Sequence, residues 1–303
     1  MTSFDDLELR LSLGPVQFHW SREQLIDFYG EIASTEVDVV YLGETVCSKR
    51  RSLRHSDWLD IARVLTDAGK EVVFSTLALV EAGSELGYMR KLCENGDYRV
   101  EANDMSAVQM LAGKVPFVGG PTLNIQNHRA LAKLAELGMM RWVAPIEATH
   151  DVVAGMRFFD KQHLEFEMLA WGPMPLAYSA RCYTARARGL TKDDCDNCCS
   201  EYPDGLILAT QEGEKLLLIN GIQTMSAKSV CLAQELVSGS SPVDIVRISP
   251  QPEHTETVIS LFDHVMKGQA SPDEAFNALR DCMPGEPCNG FWHGRAGQDW
   301  VKP

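Results

Sequence analysis

The sequence predicts a TIM-type (β/α)8 barrel. Eight apolar, strand-like runs alternate with helix-period segments, in units of roughly 25 to 30 residues spread over about 250 residues. The chain has 303 residues, enough for one barrel carrying an insertion. No G-x-G-x-x-G follows the first strand, whereas a doubly wound nucleotide-binding sheet would normally carry that glycine-rich turn.

Leu9–Phe18 reads as the first strand, with Gly14-Pro15 marking an irregularity or an edge within it. Ser21 is placed to cap a helix running to about Ala33, and Gln24, three residues on, completes a capping box. Val37–Gly43 is a compact buried-strand pattern, followed by Glu44, Cys47 and the basic loop Lys49-Arg50-Arg51 with Arg54. Ser56–Ala68 has helical periodicity and Gly69 stops it. The alternation continues with a strand at Glu71–Leu79, a helix at Glu81–Glu94, a strand at Tyr98–Ala102 and a helix at Met105–Ala112. Val115–Val118 begins a strand expected to resume at Leu123–Ile125, and Asn127-His128 opens a helix over Arg129–Leu137. Met140–Pro145, the helix His150–Phe159 and the strand Leu164–Leu169 complete seven units. The rhythm then breaks. A cysteine-rich stretch and a β-hairpin, Leu206–Thr210 with Lys215–Asn220, read as an insertion at about 173–223 in a single barrel domain of 1–303. Ser229–Val237 reads as a helix, Val243–Ile248 as the eighth strand and His254–Lys267 as the eighth helix.

Composition narrows the class of function. The formal net charge of −14 argues against broad electrostatic binding to nucleic acid or anionic lipid. The acidic start, Met1–Asp6, lacks a signal-peptide pattern, and no apolar run approaches the roughly 20 residues that span a bilayer. A cytoplasmic protein with reduced thiols is therefore expected, and nine cysteines fit metal ligands plus free thiols better than disulfide pairs.

In a barrel the chemistry sits where strands hand over to helices. Those junctions carry Glu44 and Cys47, Ser75 and Thr76, Asn103 and Asp104, Asn124, Gln126 and His128, Glu147, Trp171 with the cysteine segment, and Ser249 with Gln251. Glu44, Glu147 and His128 are the acid–base candidates, geometry permitting. Cys182, Cys195 and Cys199 fall close together, and Cys198 offers a C-x-x-C alternative with Cys195. Short loops can bring such thiolates onto one ion or cluster, and Cys47 is the candidate fourth ligand. Four thiolates suit either zinc or an iron–sulfur cluster, and spacing does not decide between them. Cys93 and Cys231 read as small core residues on helix-period segments, and Cys282 and Cys288 lie in a Pro/Gly-rich tail. Arg181, Arg186 and Arg188 are a basic run suited to offset the charge of a thiolate-bound cluster, to bind an acidic substrate or to form a solvated loop face. No nucleophile elbow, P-loop or H-E-x-x-H motif is present.

The run Pro175–Cys182, the Cys195–Cys199 group and the tail Cys288-Asn289-Gly290-Phe291-Trp292-His293-Gly294 resemble the YhbU/YhbV/YegQ group of the collagenase-like peptidase superfamily, and within it the YhbV branch. The resemblance spans essentially the whole chain. It implies an incomplete or decorated TIM barrel bearing a 4Fe–4S cluster, and matched residue by residue it selects Cys47, Cys182, Cys195 and Cys199 as ligands. It further implies a role in O2-independent hydroxylation of a ubiquinone precursor, in a heterodimer with a UbiU-like sibling subunit and alongside a UbiT-like lipid-binding accessory protein. Proteolysis is not expected, despite the superfamily's name, because no protease nucleophile constellation is visible.

Overall fold

The computed structural model describes residues 9–236 and 241–302. Seven parallel strands follow one another around a barrel: β1 (Arg10–Leu13), β2 (Val39–Leu42), β3 (Glu71–Ser75), β4 (Arg99–Ala102), β5 (Phe117–Gly119), β6 (Met139–Val143) and the first half of β7 (Glu165–Tyr178). Between them run α1 (Arg22–Ile32), α2 (His55–Asp67), α3 (Gly83–Cys93), α4 (Met105–Leu111), α5 (His128–Glu136) and α6 (His150–Phe159). An inserted stretch then contributes a short helix, α7 (Tyr183–Ala187), and three antiparallel strands, β8 (Leu206–Ala209), β9 (Lys215–Asn220) and β10 (Gln223–Cys231). The eighth barrel strand, β11 (Ile245–Ile248), pairs in parallel with both β1 (Arg10↔Ile245, Leu13↔Ile248) and β7 (Ile245↔Glu167, Ile248↔Trp171). That double pairing closes the sheet. The fold is a TIM-type barrel, completed by α8 (Thr255–Met266), α9 (Pro272–Asp281) and a two-residue strand, β12 (Pro287–Cys288), beside β10.

The elements form where side-chain chemistry permits. Ser21 Oγ accepts from the Gln24 amide at 3.2 Å while Gln24 Oε1 accepts from the Ser21 amide at 2.9 Å, so the expected capping box starts α1. Barrel strands are buried on both faces, which is why they read as continuous apolar runs. Their outward faces join the helices in one large apolar core. Facing inward, Val39, Tyr41, Val73, Val118 and Val143 form a separate cluster.

The barrel interior also holds a column of charge. Glu167 Oε1 accepts from Arg247 Nε at 2.7 Å and from Ser12 Oγ at 2.6 Å, while its Oε2 accepts from Tyr41 at 2.5 Å. Arg141, fully buried, reaches Glu71 and Glu165 on one side and Tyr41 on the other. Toward the mouth, Arg247 Nη1 lies 2.9 Å from Glu101 and its guanidinium sits 4.0 Å over the Tyr41 ring. Every one of these buried charges has an opposite charge beside it, the condition under which burial is tolerated.

Four sequence expectations are corrected. The first strand ends at Leu13, because Gly14-Pro15 breaks it. The fifth does not resume at Leu123–Ile125: Pro121–Leu123 is a 3-10 turn, ended by Asn124 in a left-handed conformation. No helix occupies 229–236, since Ser229–Cys231 belongs to β10, held between β7 and β12, and a turn follows; Val237 lies outside the described residues. The tail contains α9, which was not expected.

Strand β7 joins the barrel to the antiparallel strands of the same sheet. Its first half is a barrel stave, and from Trp171 on it pairs antiparallel with β10, carrying the chain above the barrel rim. The change occurs at Gly172, whose φ of +114° suits glycine and whose Cβ, were there one, would meet Ser249 Cβ at 2.6 Å.

Candidate functional site

The expected cysteines come from two loops that the fold pins together. The first follows β2. Gly43, at φ +118°, turns the chain tightly against the Ser75 carbonyl, and Glu44 Oε1 then accepts from the amides of Val46 (2.8 Å) and Cys47 (3.0 Å). Glu44 therefore shapes the loop that presents Cys47. The second is the insertion. Lys49 Nζ donates to the Lys192 carbonyl at 2.7 Å and to Asp193 at 3.1 Å, and Lys192 pairs with Glu81, so the β2 loop is tied to the run leading into Cys195.

Within the insertion, Cys182 is the N-cap of α7 and its Sγ accepts from the Ala185 amide at 3.4 Å. Asp196 and Asn197 both take left-handed conformations and set up the 3-10 turn Cys198–Glu201. Cys47, Cys182, Cys195 and Cys199 are all half-buried and unpaired, while Cys198 is buried. Cys199 Sγ lies 3.5 Å from His19 Nδ1, a neighbour the sequence did not announce. Among the described residues, no three His, Cys, Asp or Glu side chains converge tightly enough to hold a single metal ion.

Cations surround these thiols. Arg50 is 5 % exposed, with Nη1 on the Gln17 carbonyl (2.7 Å) and Nη2 on Asn220 Oδ1 (2.7 Å), and the charges of Glu44, Cys199 and Cys47 all bear on it. Lys49 feels Cys195 and Cys47, and Lys192 feels Cys47. Burial pushes the Cys47 and Cys182 thiols up, and each feels the N–H groups of its own loop in the opposite sense. Burial and then Arg50 hold His19 down to about 4, so its imidazole is neutral at ordinary pH. Burial alone therefore favours the neutral thiol at Cys47 and Cys182. Of the other cysteines, burial raises Cys93 to about 11 and Cys231 and Cys288 to about 12, which marks them as inert packing thiols. Arg188 is engaged by Glu201 and Tyr202.

The barrel mouth opens into a cavity of about 410 Å³. Gln17, Glu101, Asn103, Glu147, Tyr178 and Arg247 are among the residues that line it. Ser75 Oγ (2.7 Å) and Asn103 Nδ2 (3.0 Å) both donate to Glu101 Oε2, and Arg247 Nη2 is buried without a hydrogen-bond partner among the described residues. A buried guanidinium N–H left without an acceptor is an exception among protein polar groups. Gln17 joins the two regions: its side chain lines the cavity and accepts from Gln223 at 2.8 Å, while its carbonyl is held by Arg50 and by Asn220. One residue thus separates the cavity from the guanidinium beside Cys199.

The acid–base candidates are dispersed. Glu147 is exposed on the cavity rim. Glu44 is engaged with its own loop, and burial raises its carboxyl. His128 is exposed and stacks on Phe159 at 4.5 Å, outside the cavity lining. Glu101, Arg247 and His19 are the polar groups that sequence reasoning missed. The first two were hidden inside strands, and His19 meets Cys199 across a separation of 180 positions.

The model of peptidase family U32 matches residues 28–302. The chain belongs to peptidase family U32. Among solved structures, this family member is similar to the U32 peptidase Mk0906, at 12% identity over 81% of this chain and 94% of that one, with a TM-score of 0.47. It is also similar to a tryptophan synthase from M. tuberculosis (10% identity, 91% and 93% covered, TM-score 0.41) and to a GH18 chitinase from Pseudoalteromonas aurantia (9%, 83% and 99%, 0.42).

Proposed function

We propose that this U32-family chain carries a 4Fe–4S cluster on Cys47, Cys182, Cys195 and Cys199, and that it serves in O2-independent hydroxylation of a ubiquinone precursor. In this reading it is a cytoplasmic, UbiV-type subunit, paired with a UbiU-like sibling and assisted by a UbiT-like lipid-binding protein. The observation that carries the proposal is the meeting of two distant cysteine loops beside Arg50, Lys49 and Lys192. Four thiolates on a cluster concentrate negative charge, and cations at their edge offset it.

The donor set fits such a group: four free, half-buried thiols on loops, with neutral His19 beside one of them. Bound there, the cluster would supply one-electron transfer. Four cysteine ligands fill its coordination, so the substrate oxygen is handled by the protein. Arg247 offers its free N–H to an acceptor in the mouth cavity, Asn103 and Glu101 fix the polar wall, and Gln17 and Tyr178 separate the bound molecule from the thiols. Among the described residues no helix is long and apolar enough to cross a membrane, so a lipid-tailed precursor would be delivered by the accessory protein.

A second reading, in which the cluster or a zinc site braces the fold and the sibling does the chemistry, is favoured by the ties from Lys49 and Arg50 to the insertion. The test is anaerobic purification with visible and EPR spectra and iron and sulfide counts. Wild type should be brown, with about four irons per chain. Alanine at Cys47, Cys182, Cys195 or Cys199 should abolish the iron, and Cys198→Ala should keep it. A colourless protein holding stoichiometric zinc would sink the proposal. A Cys182→Ala chain that still folds and pairs but no longer supports hydroxylation would favour chemistry over bracing.

A further inference from the structure

A second cavity, of about 400 Å³, lies on the other side of the Cys47 loop, under α1, α2 and α3. Its walls are largely aromatic and aliphatic, including Phe18, Trp20, Trp58 and Tyr88. Two nitrogens on lining residues are buried and lack partners among the described residues: the indole Nε1 of Trp20, a side chain only 4 % exposed, and Nδ1 of His55. Buried indole N–H groups normally find an acceptor, so this one marks a position where an acceptor belongs. Arg50 Nε is also unpartnered, but it sits beside Cys199 and is counted with the sulfur site.

The opening is positive in a protein whose net charge is −14. Arg51, Arg54 and Lys91 are exposed there, and none of them forms an ion pair among the described residues. Two carboxylates line the same cavity, Glu44 and Glu85, against the four cations Arg50, Arg51, Arg54 and Lys91. Glu85 accepts from Ser48 and from the amides of Glu81 and Ala82, and Glu44 accepts from those of Val46 and Cys47. The local field therefore favours an anion, the aromatic walls favour a flat apolar body, and the unpartnered N–H calls for an oxygen acceptor.

We infer that this cavity is a second small-molecule site, which takes an organic anion composed of a carboxylate on a planar apolar body. A phosphate fits the lining less well, because the unpartnered donors are few and no glycine-rich run of backbone amides faces the space. The site stands apart from the mouth cavity, and His19, Glu44 and Arg50 line it on the side that faces the thiols.

The test uses the full chain as purified, with 3-phenylpropionate as the probe, read by titration calorimetry and tryptophan emission. Saturable 1:1 binding is expected, with 3-phenylpropanamide at least about tenfold weaker and inorganic phosphate unable to compete at equal concentration. The exposed pair Arg51→Gln with Lys91→Gln should weaken binding and remove its salt dependence. Trp20→Phe, which keeps an aromatic side chain but removes the N–H together with part of the ring, should weaken it about tenfold. Absence of saturable binding, equal affinity for the amide, effective competition by phosphate, or unchanged affinity in either variant of unaltered circular dichroism would overturn the inference.

Discussion

At the level of single residues, the protein's most consequential choice is to fill a barrel interior with charge. Glu167 illustrates the balance. Burial works to raise its carboxyl, but Arg247 and Arg141 prevail and hold it below the ordinary 4.5; Glu71 follows the same course under Arg141 and Arg99. Because both folded values lie below the unfolded ones, their stabilisation is complete above about pH 4.5 and is lost as pH falls through the depressed folded values. Urea midpoints measured from pH 7 down to pH 3 should therefore drop steeply in the acid limb, and a flat profile there would contradict the assignment. Arg247→Ala leaves Glu101 and Glu167 facing each other without their cation, and should cost about 3–5 kcal/mol in urea unfolding at pH 7. These residues were hard to read from sequence. A lone Glu or Arg in a short strand has the look of a solvent-facing position, and only barrel closure reveals that it points at another charge.

Elements were legible where local chemistry decides and illegible where distant pairing does. The capping box at Ser21 and Gln24 was plain in the sequence and starts α1 as expected. Ser271-Pro272-Asp273-Glu274 is the same device with a proline in the first turn, yet it went unread because it sits among Pro and Gly residues. Ser271→Ala should destabilise the chain by about 1 kcal/mol, measurable as a shift in the urea midpoint. The helix expected at 229–237 failed for the opposite reason. Its residues suit a helix locally, but Ser229 and Val230 are claimed by strands on both sides, β7 and β12, and tertiary pairing overrides propensity. Gly172 is where that override becomes geometric. Gly172→Ala combines a left-handed φ with a steric collision against Ser249, and should cost about 2–4 kcal/mol. Amide exchange should rise first in β8–β10, and uniform loosening of the barrel instead would count against the role given to β7.

Considered as a whole, the molecule was predictable in its frame and not in its furnishing. Eight strand–helix alternations sufficed for the barrel, since each unit's periodicity is local. The cysteine spacing located the insertion, but the partners that make it a site, His19 and Arg50, reach it only through the closed sheet. One consequence concerns how the cysteine-bearing excursion is anchored. The chain leaves β7 at Tyr178 and returns at Gln223, and these two residues are register partners, with Ser179 donating to the Ile222 carbonyl at 2.9 Å just beyond. The excursion that bears Cys182, Cys195 and Cys199 is therefore a loop whose ends are already joined. Its closure entropy is met by strand pairing, not by the ligands. In small zinc domains metal binding and folding are one event; here insertion of the proposed cluster would be a late step performed on a finished barrel. Protein made without iron should keep its cooperative unfolding transition and lose order only between residues 179 and 222, as limited proteolysis would report.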